Sequence, residues 1–135
     1  MVISSSDEKR FIDVGGADIW FCLYSTVCTR VKNAEKRFPL AIEVIKNGEY
    51  SGTEALEAAR QINLIRDELA GISPDKVVYD VTNPTLVAPW EGRISPVITS
   101  CANFYTTADG KDLLFELVSI LCYAAVAKVD IYATD

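Results

Sequence analysis

The stretch from Leu113 to Val129 is almost entirely apolar, and it constrains the fold of this chain more than any other feature. Only three polar or charged residues interrupt it, namely Glu116, Ser119 and Lys128. The run falls short of the roughly 20 apolar residues that cross a bilayer, so it predicts a buried helix of the protein interior. We expect this helix over residues 110–127, capped by Asp109, with the other elements packed around it.

A second helix is predicted between Ser51 and Pro74 by the spacing of its apolar residues. These recur every three or four positions and form one stripe, made of Ala55, Ala58, Ile62, Ile65 and Leu69. Ser51 and Glu54 have the spacing of a capping box. Gly71 is placed for a left-handed C-cap, and Pro74 prevents the helix from continuing.

Shorter elements alternate along the rest of the chain. Strands are predicted over residues 11–14, 77–81, 103–107 and 129–133. Two further helices are predicted, one over residues 18–31 with Asp18 as its cap, and one from Pro39 to near Gly48. These elements predict a single domain, residues 1–135, of the α/β (α+β) class. We expect a small, at least partly antiparallel sheet packed with about four helices.

The side chains that usually carry catalysis or metal binding are scarce. The chain has no histidine, which is the commonest general base and a frequent zinc ligand. The four cysteines form no C-x-x-C pair and are predicted to be free thiols in a reducing compartment: Cys22, Cys28, Cys101 and Cys122. No glycine-rich phosphate-binding motif is present. We therefore predict that the protein is not an enzyme and needs no metal or other cofactor.

The net charge of −6 lies entirely in the second part of the chain. Residues 1–50 carry seven basic and seven acidic side chains, whereas residues 51–135 carry six and twelve. An acidic surface repels nucleic acid and favours basic partners, although a charge of this size also serves solubility alone. The N-terminus lacks the features of a secretory signal, so we expect a cytoplasmic protein that binds neither nucleic acid nor membrane.

A long apolar loop is predicted around the sequence "TNPTLVAPWEGRIS", residues 82–95. Loops this long inside a domain are usually functional or disordered, and this one is too apolar to be simply disordered. We expect Trp90 to pack under the loop as a clasp, with the alternative that it anchors a binding partner. The predicted contact residues for a partner are Asp80, Asn83, Trp90, Glu91 and Arg93.

A rival hypothesis gives this loop a chemical role. Asp80 and Glu91 could pair as carboxylates across the loop and, together with Tyr105, serve a small-molecule-binding or hydrolytic domain. Their spacing does not specify such a pair, because carboxylates beside a loop are usually caps or solvated charges.

Three motifs follow one another in a recognisable order: P-D-K-V-V, then P-W-x-x-x-I-S, then D-G-K-D-L. With them, residues 37–120 resemble a family of bacterial polymorphic-toxin immunity proteins of the contact-dependent-inhibition type. The chain departs from the family pattern at Tyr79, where tryptophan is frequent, at Ala88, where a second proline is usual, and at Glu91, which precedes the glycine. The matching residues are Arg37, Phe38, Pro39, Asp75, Lys76, Val77, Val78, Asp80, Pro89, Trp90, Ile94, Ser95, Tyr105, Thr107, Asp109, Gly110, Asp112 and Leu113.

The resemblance implies a function by binding rather than by catalysis. Such a protein would bind and neutralise a cognate toxin domain stoichiometrically, and so protect the producing cell and its kin. The acidic second part of this chain suits a basic partner, such as a nuclease toxin.

Overall fold

Five α-helices and a three-stranded antiparallel sheet make up the chain in the computed structural model, which describes all residues from 1 to 135. The strands are β1 (Val2–Ser5), β2 (Phe11–Asp13) and β3 (Ile131–Thr134). The helices are α1 (Ala17–Arg30), α2 (Ala34–Arg37), α3 (Pro39–Asn47), α4 (Ala55–Leu69) and α5 (Leu113–Ala127). The predicted α+β class is therefore confirmed, and the short helix α2 is the one that the sequence analysis missed.

The sheet brings the two ends of the chain together. Its strand order is β2-β1-β3, and both pairings are antiparallel. Ile3 on the central strand lies opposite Ile12 on β2 and Ala133 on β3, and its side chain is fully buried. The strands predicted over residues 11–14 and 129–133 correspond to β2 and β3. Strand β1 was missed because its four residues carry too little apolar alternation to stand out.

Helix α5 lies at the centre of the hydrophobic core. Its most extensive contact is with α4, and it also contacts β2 and β3. Six of its side chains are buried, namely Leu113, Leu114, Leu117, Ile120, Leu121 and Ala124. The predicted central position is confirmed, although Phe115 and Val126 point away from the core and stay exposed. Burying each large apolar side chain favours folding by about 1.5–3 kcal/mol, which makes α5 a major source of stability.

Asp112 caps α5, and the predicted cap at Asp109 is wrong. The Oδ1 atom of Asp112 accepts a hydrogen bond from the backbone N–H of Phe115 at 3.0 Å. The carboxylate of Asp109 instead bonds the hydroxyl of Thr107 within the preceding turn. A backbone bond from the N–H of Thr107 to the carbonyl of Lys111 closes that turn, so the helix begins later than the sequence suggested.

Helix α4 has the predicted apolar stripe, but its ends differ from the prediction. All five stripe residues are buried. Ser51 makes no side-chain hydrogen bond, and instead the hydroxyl of Tyr50 accepts a bond from the N–H of Glu54 at 3.0 Å. Gly71 does not adopt the left-handed conformation, because the helix already ends at the residue before it in right-handed geometry. The predicted capping box and the predicted glycine C-cap are therefore both wrong.

Helix α3 begins and ends where the sequence predicted. Pro39 stands in its first turn, and Gly48 ends it with a φ of 70°. The Oε1 atom of Gln61, a buried residue of α4, accepts bonds from the N–H groups of Leu40 and Ala41 at 2.9 and 3.1 Å. A long-range side chain thus satisfies two of the amides that a helix leaves free at its start.

Helix α1 confirms the interpretation of residues 18–31 as helix rather than strand. Trp20, Val27 and Val31 are buried. Asp18 lies in the first turn and makes no cap, so its predicted role is wrong. The segment forms a helix despite its local preference for strand, because a helix turns Trp20, Leu23 and Val27 toward the core, although Phe21 stays exposed.

Two predicted strands, over residues 77–81 and 103–107, are absent. The first segment follows a short 3₁₀ helix (Pro74–Lys76) and is irregular. The second contains one isolated bridge, between Thr106 and Asp112. Their β-branched and aromatic residues suggested strands, but the three-stranded sheet includes neither segment and other partners take their backbone hydrogen bonds.

All four cysteines are free; Cys22 and Cys101 are buried, whereas Cys28 and Cys122 are half-buried. None of the helices combines the length and the apolar character that crossing a bilayer requires.

The assignment of the α5 cap predicts a difference between two similar substitutions. Asp112→Ala removes the cap and the ion pair with Arg66 on α4, where the N···O distance is 3.2 Å. We expect it to lower the free energy of unfolding by about 1–2 kcal/mol. Ser51→Ala is the matched control, because its exposed side chain bonds nothing, and it should change stability by less than about 0.5 kcal/mol. Urea denaturation measures both values, and equal losses would contradict the assignment.

Candidate functional site

The segment 77–99, here called the proline-rich loop, is a chain of tight turns. Backbone bonds between residues three apart close turns that begin at Asp80, Asn83, Ala88, Trp90 and Ser95. Pro84, Pro89 and Pro96 fix the backbone between these turns. The loop therefore has a defined shape although it contains no helix or strand.

Two hydroxyl groups of helix α1 tie the loop to the core. Thr26 Oγ1 accepts a bond from the N–H of Val78 at 2.9 Å and lies 3.3 Å from the carbonyl of the same residue. Ser25 Oγ accepts a bond from the N–H of Val81 at 3.0 Å. Both hydroxyl residues are fully buried. They occupy the backbone groups that a strand at residues 77–81 would have used, which explains why the predicted strand does not form.

A row of packed aromatic rings connects the loop to the core. Trp90 packs edge-on against Tyr79 and at a tilt against Phe104, with ring centroids 5.3 Å apart in each pair. Phe104 in turn meets Tyr105 at 5.0 Å. Trp90 is half-buried and contacts the core, which is the geometry that the clasp hypothesis requires. Offset and edge-on aromatic pairs each add about 0.5–1.5 kcal/mol beyond the area they bury.

Tyr105 joins this row to the helical core. Its side chain is only 1 % exposed, and its hydroxyl donates to Thr26 Oγ1 at 2.7 Å. Burial raises the pKa of the Tyr105 hydroxyl far above its ordinary value, so the group stays protonated. The same threonine thus holds both the loop backbone and the innermost ring. This junction could not be predicted from local patterns, because its members are far apart along the chain.

A groove of about 770 Å³ lies between the proline-rich loop and the C-terminal end of α1. Half of its lining residues are hydrophobic. The charged side chains in the lining are Arg30, Asp75, Asp80 and Glu91. The Arg30 guanidinium donates through Nε to the carbonyl of Lys76 at 2.8 Å, which fixes it at one end of the groove. The groove therefore combines an apolar wall with mainly acidic charge.

Three of the five predicted contact residues line this groove, namely Asp80, Trp90 and Glu91. Asn83 and Arg93 lie outside it on the exposed surface of the same loop. Asn83 Oδ1 accepts a bond from the hydroxyl of Thr85 at 3.0 Å, and Arg93 donates to the carbonyl of Pro89 at 2.6 Å. Both side chains thus stabilise turns of the loop and still face solvent.

The structure does not bring together the three residues of the rival chemical hypothesis. Tyr105 does not line the groove, and its hydroxyl is held in the core. Asp80 accepts bonds from the N–H and the hydroxyl of Thr82 at 2.8 and 2.6 Å, and these bonds hold the pKa of its carboxyl below the usual range. Glu91 is exposed and makes no side-chain hydrogen bond. No group of three or more cysteine and acidic side chains is placed to hold a metal ion.

Three apolar residues that face solvent in this loop were not among the predicted contact residues. Val81, Leu86 and Val87 line the groove and are exposed. The apolar pair Leu86–Val87 lies within "PTLVAP", between two prolines, where no regular element can bury it. An apolar pair between two nearby prolines therefore indicates an exposed apolar segment.

The aromatic row predicts that Trp90→Ala lowers the free energy of unfolding by about 2–3 kcal/mol. Fully buried aromatics cost about 3–5 kcal/mol when truncated to alanine, and Trp90 is only half-buried. Val97→Ala is the control, because this exposed side chain lies in the same loop and outside the groove lining. It should change stability by less than about 0.5 kcal/mol. Unchanged stability of the Trp90 variant, with partner binding weakened about thirtyfold or more, would identify Trp90 as an interface anchor instead.

Comparison with known proteins places this arrangement in a family. A family model described as immunity protein 70 matches residues 5–132. The match extends well beyond residues 37–120, where the motifs are visible, and includes helices α1 and α2, strand β2 and the first half of β3. Neither the curated proteins nor the solved structures gave a match. The predicted resemblance to an immunity protein family is confirmed. The chain belongs to the immunity protein 70 family.

Proposed function

We propose that this protein binds a cognate bacterial toxin domain stoichiometrically and neutralises it, without acting as an enzyme. Membership of an immunity protein family is the observation that carries the proposal. The arrangement of side chains agrees with it, since the acidic residues of the loop either stabilise turns or face solvent. The protein would act in the cytoplasm of the producing cell and its kin, within a contact-dependent growth inhibition system.

The proline-rich loop is the surface that we propose for toxin contact. Its candidate contact residues are Asp80, Asn83, Trp90, Glu91 and Arg93. The buried hydroxyls of Ser25 and Thr26 tie the start of the loop to helix α1 at Val81 and Val78, and turn-closing bonds order the rest. A loop that is already ordered loses little conformational entropy on binding, and this favours affinity.

The partner that fits this surface best is a basic toxin domain, as a nuclease toxin would be. The chain carries a net charge of −6, and the excess acid lies in residues 51–135, which include the loop. Acidic and basic surfaces attract each other over several ångströms before contact and speed association.

A second candidate, a small-molecule-binding or hydrolytic domain, is favoured by one observation. The groove volume lies within the range of about 300–1,000 Å³ that is usual for ligand sites, and Asp80 and Glu91 line it. The two functions differ in stoichiometry. Increasing amounts of the protein should be added to the toxin domain encoded beside its gene while toxin activity is followed. Stoichiometric binding gives an end point at equimolar protein, whereas an enzyme that removes a toxin substrate or product protects at far lower amounts.

The loop surface predicts that Glu91→Lys impairs neutralisation without affecting folding. Glu91 is exposed and unpaired, so its reversal should change stability by less than about 0.5 kcal/mol. It should weaken toxin binding about tenfold or more, because it replaces an attraction to a basic partner by a repulsion. Isothermal titration calorimetry measures the affinity. Glu43→Lys is the control, because Glu43 is an exposed acidic residue of α3 outside the groove. Equal effects of the two reversals would contradict a role specific to the loop.

The charge distribution predicts that the association rate depends on salt. Raising the ionic strength from about 0.01 to 1 M shortens the screening length from about 30 to 3 Å. Stopped-flow association with the toxin domain should slow by about tenfold or more, while dissociation changes less. An association rate that does not respond to salt would mean that the acidic residues serve solubility only.

A further inference from the structure

The exposed part of the groove wall is unusually apolar for a surface loop. Leu86 is 46 % exposed and Val87 is 63 % exposed, and Val81 lies beside them in the lining. Exposed apolar groups that cluster in a concave surface mark sites of interaction, because a partner that covers them removes apolar surface from water, which is favourable. The hydrogen-bonded turns of the loop hold these side chains away from the core.

The same segment has backbone groups without a partner. The N–H groups of Thr85, Val87 and Ala88 make no hydrogen bond within the chain, and neither do the carbonyls of Thr85, Leu86 and Val87. Residues 84–88 all line the groove. Backbone donors and acceptors that alternate along a short exposed segment can pair with an extended chain laid beside it.

The charges around this wall are mainly negative. Asp75, Asp80 and Glu91 line the groove, and Arg30 is the one basic side chain among the lining residues. Arg30 already donates to the carbonyl of Lys76. The bonds from Thr82 keep Asp80 ionised. A cationic side chain that approached the groove would therefore meet fixed negative charge beside an apolar surface.

We infer that the groove is the docking site for an extended segment of the toxin in which an apolar side chain is flanked by lysine or arginine. This inference rests on the proposed function and specifies the chemistry of its partner. The apolar side chain contacts Val81, Leu86 and Val87, and its cationic neighbour lies near Asp80 and Glu91. The segment's backbone pairs with the free N–H and carbonyl groups of Thr85 and Val87. A small ligand fits less well, because ligand sites bury most of the ligand surface and this wall stays about half exposed.

The test uses two aspartate substitutions at exposed valines. Val87→Asp places a charge on the groove wall, and Val126→Asp places the same charge on α5, outside the groove, where Val126 is 83 % exposed. Both variants should unfold like the unmodified protein, because neither side chain is buried. Affinity for the toxin domain encoded beside the gene should fall about thirtyfold or more for Val87→Asp and change less than about threefold for Val126→Asp.

Hydrogen exchange of the complex tests the extended geometry. The amides of Thr85 and Val87, which are two residues apart and so face one edge of an extended backbone, should exchange at least about tenfold more slowly when the toxin domain is bound, because their N–H groups acquire acceptors. A loss of affinity in Val87→Asp without slower exchange at these amides would overturn the pairing of an extended segment.

The outcomes separate this inference from the proposed function. If both aspartate variants bind and neutralise the toxin as the unmodified protein does, the groove is not the docking site and the immunity function stands. If both variants lose affinity equally, the loss is not specific to the groove, and the groove is not the docking site. If the unmodified protein neither binds nor neutralises the toxin domain, the proposed function itself fails, and the inference fails with it.

Discussion

Helix α5 is buried between α4 and the sheet, and the other elements of the fold pack around it. Six of its side chains lie in the core, and α4 contributes the opposing stripe. The strands that cover α5 come from opposite ends of the chain, so the sheet can form only when the termini meet around this helix. The capping of α5 by Asp112 and the ion pair to Arg66 fix its start against α4.

A second junction connects this core to the proposed binding surface. The Oγ1 atom of Thr26 accepts one hydrogen bond from the hydroxyl of Tyr105 and another from the backbone N–H of Val78. Helix α1 thereby positions a loop that has no regular secondary structure of its own. The aromatic row from Tyr105 to Trp90 extends the packing of the core outward under the same loop. The contacts that stabilise the core therefore also order the loop. An ordered loop loses less conformational entropy when it binds a partner, and this favours affinity.

Charge and apolar surface have different roles in the proposed recognition. The acidic residues act at a distance and influence how fast a basic partner arrives. The apolar wall of the groove acts only on contact and determines how slowly the partner leaves. Both occur in one loop, where Asp80 and Glu91 lie beside Leu86 and Val87 among the groove residues. A solubility role for the acidic residues would not require this proximity.

Local sequence patterns were enough to predict the central helices and the family of this protein. The stripe of α4, the apolar length of α5 and the proline and glycine that bound α3 follow from local spacing, since each helix must place its apolar residues on the side that is buried. The ordered motifs identified an immunity protein family. Long-range packing set the irregular path of residues 77–81, the burial of Tyr105 and the existence of the groove. The caps of α4 and α5 are local contacts, but the spacing rules assigned them to the wrong residues. Thr26 and Val78 are 52 residues apart, and the hydrogen bond between them exists only after α1 and the loop have packed. Local preference for a strand could not anticipate that bond, because the energy of a backbone hydrogen bond depends on the partner that the fold supplies.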